Sequence, residues 1–368
     1  MRMSLPGHSR PFLATAALAA IAACHVPADA ETPGLAVPLP QGCAERTDLI
    51  GLSRVVEIDT TGGPRFGESQ YKDSTFLEDG EVVLTFDDGP ARRYTLPILD
   101  ALDAHCTRAT FFTVGRMAVA DPETLRETAR RGHTIAVHTW SHKKLSTISP
   151  AKAKDEIELG RSATKKALGA NPAPFFRFPY LADTEATLAH LAARNTAVFS
   201  LEVDSRDFKT HNPGTVVRTV LSQLQSAKKG IILFHDIQPS TAGALSTLLG
   251  ALKERGFRVV HIVAKAAVET LAEYDALAEK EMQRRKLALS ASSLAERAMN
   301  AGQTGGSAGT GETNDPQSGE LPWTKQQQTP GSSNAAAKPP APPRRTLKRL
   351  DWRAREDDPW QIRSFGSE

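Results

Sequence analysis

From residue 82 onward the chain alternates short apolar runs with longer amphipathic stretches. Apolar runs that end in polar clusters occupy residues 82–86, 109–114, 134–137, 175–178, 197–203 and 231–234, and a last one covers 259–263. β-Branched and apolar runs of this length, bounded by turn residues, predict buried parallel strands. Helical spacing appears between them: Leu96, Ile98, Leu99 and Leu102 share one face, and Ile157, Leu159, Ala163 and Leu168 another. Val216, Val217, Val220, Leu221 and Leu224 make a third face, and Leu245, Leu248, Leu249 and Leu252 a fourth. Gly132, Asn195 and Gly256 stand where C-terminal caps belong. About seven strand–helix pairs in about 185 residues predict an α/β fold, a distorted or incomplete (β/α) barrel of parallel strands, rather than an open doubly wound sheet.

The flanks read differently. Residues 1–30 carry Arg2 and Arg10 ahead of a short apolar run and then Ala28-Asp29-Ala30, the form of a cleaved export signal. This predicts a periplasmic or secreted protein with no transmembrane span in the mature chain. The alternative is lipidation at Cys24, which follows Ile21-Ala22-Ala23. Residues 31–78 are rich in Gly, Pro and polar residues and form an N-terminal extension over a core at 79–264. Residues 265–300 predict one or two exposed helices. Residues 301–368 read as a low-complexity, largely disordered tail. Its Arg344, Arg345, Lys348 and Arg349, near Trp352 and Trp360, suit contact with an anionic envelope surface or simply a solvated tail.

Composition narrows the classes. The 368 residues are 40% hydrophobic and only 6% aromatic, with a formal net charge of +3, so nucleic acid is a poor choice of partner. No glycine-rich phosphate fingerprint follows any predicted strand. With Cys24 removed, Cys43 and Cys106 remain. In an oxidising compartment an even pair predicts a disulfide, closing a loop of about sixty residues worth about 4 kcal/mol; the alternative is two buried thiols.

The candidate chemistry sits where the apolar runs end. TFDDGP, residues 85–90, places Asp87 and Asp88 at one strand terminus. HTWSH places His138 and His142 four apart past the third run, a spacing that on a helical turn aims both imidazoles at one cation. Strand ends of a parallel set converge, so Asp88 can join them as a third ligand. Two histidines and a carboxylate suit a hydrolytic zinc and equally Fe(II). Asp87 is then the candidate base. Arg177 in RFPY can orient a carboxylate, Asp207 in DSRDF a histidine, and His235 in LFHD can donate a proton. The alternatives are a surface ion pair for Arg177, a helix cap for Asp207 and a satisfied buried histidine for His235.

In that order TFDDGP, HTWSH, RFPY, DSRDF and LFHD resemble the five motifs of the polysaccharide deacetylases, carbohydrate esterase family 4, with NodB homology. The resemblance covers about half the chain. It implies a divalent metal, zinc first and cobalt second, and hydrolysis of the N-acetyl group of N-acetylglucosamine units in chitin-like oligomers or peptidoglycan. It matches Asp87 to the base, Asp88, His138 and His142 to the metal ligands, His235 to the acid, Arg177 and Asp207 to their partners, and the Tyr180 N–H to the oxyanion site. Two positions depart from the pattern: Leu181 stands where the family usually has Gly, and Phe208 where it usually has Trp, both on the substrate wall. A deacylase of another small amide and a non-catalytic secreted glycan-binding protein are the rival readings.

Overall fold

A computed structural model describes residues 39–303; the export signal, Cys24 and most of the tail expected at 301–368 lie outside the described residues. Strand β3, Glu81–Asp87, is buried at all seven positions, as a central parallel strand covered on both faces must be. Around it run β4 (Thr110–Thr113), β5 (Thr134–Val137), β6 (Phe175–Phe176), β7 (Ala197–Phe199), β8 (Val203–Asp204), β9 (Gly230–His235) and β10 (Arg258–Ala264). All their pairings are parallel: β3 through β7 in sequence, with β9 on the other side of β3 and β8 beyond it. β10 pairs with the start of β3.

The barrel is incomplete between β7 and β8. The single apolar run expected at 197–203 breaks there because its backbone changes partners. Ser200 N–H donates to the Phe66 carbonyl at 2.7 Å, and Glu202 N–H to the Ile231 carbonyl at 3.0 Å. Two strands of the N-terminal extension, whose shape the sequence left undetermined, extend the sheet at its two ends. β1 (Arg54–Ile58) lies parallel to β10, and β2 (Arg65–Phe66) lies parallel to β7 at the gap. Gly67, at φ 109°, then passes so close to Ser200 and Leu201 that a Cβ would sit 2.6 Å from the Leu201 nitrogen. The run expected at 175–178 likewise yields only two strand residues, since Arg177 and Phe178 leave the ladder.

Helices α1 (Arg92–Ala104), α2 (Gly115–Ala120), α3 (Pro122–Arg130), α4 (Pro150–Leu168), α5 (Glu185–Ala193), α6 (Pro213–Ala227) and α7 (Pro239–Glu254) cover the barrel. Gly132, Asn195 and Gly256 all take positive φ just past helix ends, as expected. A disulfide joins Cys43 to Cys106 and ties the extension to the turn after α1. The last helix, α8 (Ala272–Gln303), is exposed along most of its described residues, as expected, but is anchored at its start. Its first turns bury Tyr274 and Ala278, the latter against Val119 and Ala163. No helix among the described residues is long and apolar enough to cross a membrane.

Strand alternation decides which side chains enter the barrel. Val83, Phe112, Ala136, Phe175, Phe199 and Ile231 form one apolar cluster inside it. Their sequence neighbours Leu84, Phe86, Phe111 and Ile232 pack outward under the helices. With a period of two, the inward series 83-85-87, 136-138, 175-177 and 231-233-235 ends in Asp87, His138, Arg177 and His235. Four polar side chains thus arrive at the carboxyl end of the barrel because they continue the inward face of their strands.

Candidate active site

Phe112 forms the floor. The Arg177 guanidinium lies 4.3 Å from its ring centre and is wholly closed off from solvent. All three of its nitrogens donate: Nη1 to Asp87 Oδ1 at 2.7 Å and to Thr85 Oγ1 at 2.8 Å, Nη2 to the Ser200 carbonyl, and Nε to the Phe199 carbonyl. Arg177 is therefore the orienting partner of Asp87 and not a surface ion pair. Burial pushes the Asp87 carboxyl above the usual range, and Arg177 is the largest counterweight.

Asp88 leaves the strand with φ 83°, in the left-handed region. Its carboxylate is buried, and Oδ1 has no hydrogen-bond partner. That oxygen stands 3.2 Å from His142 Nε2 and 3.5 Å from His138 Nε2, so the three side chains offer ligand atoms all within 4.8 Å of one another. His138 Nδ1–H donates to the Arg177 carbonyl at 2.7 Å, which leaves the Nε2 lone pair facing Asp88. Burial lowers the His138 pKa to about 3 and that of His142 well below the ordinary value. Burial and, beyond it, Asp87 push Asp88 up to about 8. A buried carboxylate beside two neutral imidazoles, with one oxygen unsatisfied, is the donor set a divalent cation completes.

The helical turn expected for His138 and His142 is absent. Residues 138–142 form a loop in which Thr139 and His142 take φ 68° and 60°. Helix α4 shapes it. Trp140 N–H donates to the Glu156 carbonyl at 2.8 Å, and the Glu156 carboxylate accepts from Ser141 N–H and Oγ. Gly160 lets the helix touch the loop, since a Cβ there would lie 2.4 Å from the Thr139 carbonyl carbon. Neither residue is marked by the sequence motifs; an acid and a glycine inside a helical pattern read as a solvated face and a weak point.

On the opposite wall His235 Nδ1–H donates to Asp207 Oδ1 at 2.7 Å, and its Nε2 lies 4.0 Å from Asp88 Oδ2. Burial opposes a charge on His235, but Asp207 first, then Asp88 and Asp87, hold its pKa up at about 10. Asp207 is completely buried and also accepts from His235 N–H at 2.7 Å and from Thr241 Oγ1. It does not cap α6; Asn212 does. Phe208 is 40% exposed, its ring edge-on to His235 at 5.5 Å. Across from it Tyr180, 39% exposed, sits 4.9 Å from the His142 ring with φ 59°. Leu181 follows at φ 52°, and its carbonyl accepts from Gln70 Nε2 at 2.7 Å. The position where the resembling family has Gly is thus one that favours Gly, and Leu181 occupies it at a conformational cost.

Asp236 closes the LFHD motif, which by sequence assigns a role only to His235. It is buried, and its carboxylate accepts from Gly89 N–H at 2.9 Å and from Thr95 Oγ1 at 2.6 Å. An acid straight after a strand reads as turn chemistry, and its partners are 147 and 141 residues away, so no local signal reveals it.

Fold and site together define a class: an incomplete parallel (β/α) barrel with a buried two-histidine, one-carboxylate centre at its strand ends, flanked by an arginine–carboxylate and a histidine–carboxylate pair. The sequence profile of the polysaccharide deacetylase family matches residues 77–198. Over 192 residues the chain is 34% identical to a chitooligosaccharide deacetylase of a Bradyrhizobium species, a match covering 48% of this chain and 87% of that protein. It is 32% identical over 181 residues to the peptidoglycan-N-acetylglucosamine deacetylase PgdA of Listeria monocytogenes, covering 49% of this chain but only 38% of that protein. A solved peptidoglycan deacetylase from Bdellovibrio bacteriovorus superimposes with a TM-score of 0.54 at 31% identity, over 64% of this chain and 65% of the other. This chain belongs to the polysaccharide deacetylase family.

Proposed function

We propose that the protein hydrolyses the N-acetyl group of N-acetylglucosamine residues in a polysaccharide or oligosaccharide and releases acetate, with a divalent cation held by Asp88, His138 and His142. The observation that carries the reading is the unsatisfied, buried Asp88 Oδ1, 3.2 Å and 3.5 Å from two imidazole Nε2 atoms, next in sequence to an Asp87 that is ion-paired with Arg177 at 2.7 Å. Bound there, such a cation supplies Lewis acidity to an acetamide carbonyl and a more acidic water. Zinc suits the donor set, and cobalt is the second choice.

The residues divide the proton work. Asp87, held by Arg177, takes a proton from the attacking water, whose oxygen adds to the acetamide carbon. The Tyr180 backbone N–H faces the developing oxyanion in this reading, a role worth about 3 kcal/mol where one such donor is removed. The C–N bond then breaks as His235 gives its Nε2 proton to the leaving amine, and the nearby Asp207 carboxylate stabilises the imidazolium until that transfer. Acetate and the free amine leave. The exposed rings of Tyr180 and Phe208 stand on either side of this centre, as walls suited to the apolar face of a sugar ring. The relatives with chitooligosaccharide and peptidoglycan deacetylase names support the substrate class.

Export belongs to the same reading. A Cys43–Cys106 disulfide is chemistry of an oxidising compartment and supports treating residues 1–30 as an export signal. The deciding experiment measures acetate release from chito-oligomers, peptidoglycan fragments and small acetamides by metal-stripped protein and by protein reloaded with zinc or cobalt. Release from a glycan that needs the metal is expected. Turnover of small amides alone would sink the glycan reading, and activity indifferent to chelation would sink the metal.

A further inference from the structure

Asp236 joins the strand that carries His235 to the turn that carries Asp87 and Asp88. Its backbone N–H donates to the Asp87 carbonyl at 3.2 Å, while Oδ1 accepts from Gly89 N–H at 2.9 Å. Oδ2 accepts from Thr95 Oγ1 at 2.6 Å, and Thr95 Oγ1 accepts in turn from Ala91 N–H at 2.8 Å. One buried carboxylate thereby fixes the end of β9, the residue after Asp88 and the entry to α1.

The contact with Gly89 has a specific geometric effect. Asp88 is a non-glycine residue at φ 83°, a conformation that persists only where its surroundings impose it. The peptide before it is held by Asp88 N–H donating to the Phe112 carbonyl at 3.1 Å, and the peptide after it by Gly89 N–H donating to Asp236. Together these two bonds set both backbone angles of Asp88, and so the direction in which its carboxylate leaves the chain. The fit is close, since a Cβ on Gly89 would lie 2.0 Å from Asp236 Oδ2. Gly89 is therefore required by the carboxylate packed on it.

We propose that Asp236 is a positioning residue: by clamping the peptide between Asp88 and Gly89 it aims the Asp88 carboxylate at the point His138 and His142 share. It acts through Asp88 and touches neither substrate nor cation. The inference rests on the metal-centre reading above, and its test separates the two. Metal-free protein is titrated with zinc against a chromophoric chelator, and the visible spectrum of the cobalt-loaded protein is recorded beside it. Asp236→Ala binds zinc about 10- to 100-fold more weakly, the range for residues that orient metal ligands, whereas Asp236→Asn, which still offers an oxygen to Gly89 N–H, stays within about threefold. The cobalt bands shift in the alanine variant and not in the asparagine variant, and kcat follows affinity while KM is unchanged. Asp236→Ser, too short to reach Gly89, carries the same expectation as alanine should the alanine variant not fold. A folded Ala or Ser variant with wild-type affinity and cobalt spectrum overturns the inference, and so does an Asn variant as weak as Ala. Wild-type protein that binds neither metal overturns the metal-centre reading and this inference with it.

Discussion

Arg177 donates Nη1–H to Asp87 Oδ1 at 2.7 Å inside a barrel that excludes water from both side chains. The same residue accepts His138 Nδ1–H on its backbone carbonyl. One position thus sets the charge balance of the proposed base with its side chain and the tautomer of a proposed ligand with its main chain. Arg177→Lys keeps a cation but loses the fork that reaches Thr85, Ser200 and Asp87 together. Its kcat is expected to fall about 100-fold with KM nearly unchanged, since the lost contact acts on a reacting group. Because Arg177 holds the Asp87 proton affinity down, the acid limb of the pH–rate profile moves to higher pH. An unshifted limb would mean that Asp87 is not the titrating base.

Asp87 and Asp88 are neighbours with separate tasks. Asp87→Asn is expected to bind zinc as the wild type does and to lose about 10²- to 10⁴-fold in kcat, the range for removing a general base. Asp88→Ala is expected to lose zinc as well, by equilibrium titration. Equal zinc loss in both variants would reverse the assignment.

Gly160 tests whether α4 shapes the ligand loop. In a helix interior Gly→Ala gains about 1 kcal/mol from propensity, but a Cβ forced against backbone costs about 1–3 kcal/mol. With 2.4 Å to the Thr139 carbonyl carbon, the clash is the larger effect. Gly160→Ala should lower the melting temperature and weaken zinc binding, because the loop between His138 and His142 must move. Unchanged zinc affinity would show that the loop holds its ligands without the helix.

His261 provides a pH test remote from the proposed chemistry. Burial first, and then Arg108, lower its pKa to about 4, and its Nε2 meets Thr134 Oγ1 at 2.9 Å. The unfolded chain takes up this proton near pH 6.5 and the folded protein only near 4, so stability falls as pH drops through that window. The loss reaches up to about 3 kcal/mol. His261→Gln should flatten this part of the dependence in urea unfolding between pH 7 and 4.5; an unchanged slope would place the protonation elsewhere.

Much of the site was legible because its geometry follows local rules. Asp87, His138, Arg177 and His235 each extend the inward parity of an apolar strand, so the pattern that predicts the strands also predicts where these side chains go. His142 meets His138 by a geometry that their spacing does not describe. Their spacing reads as a helical turn, whereas the structure makes a loop with left-handed residues, clamped by Glu156 and Gly160. β2 was not legible because two residues, Arg65 and Phe66, carry no periodicity and pair only where the barrel leaves a gap.

The sequence by itself determined the parallel α/β order, the strand ends at which chemistry collects, and the family. Those features depend on side-chain alternation, turn residues and residue identity, which act over a few positions. The resemblance already pairs Arg177 with Asp87 and Asp207 with His235, but only the tertiary structure makes those contacts and adds the one between Asp236 and Gly89. Arg177 reaches Asp87 across 90 residues, His235 reaches Asp207 across 28, and Asp236 reaches Gly89 across 147. Each choice was settled by closure of the barrel, which leaves a buried charge stable only beside the partner the opposite strands deliver.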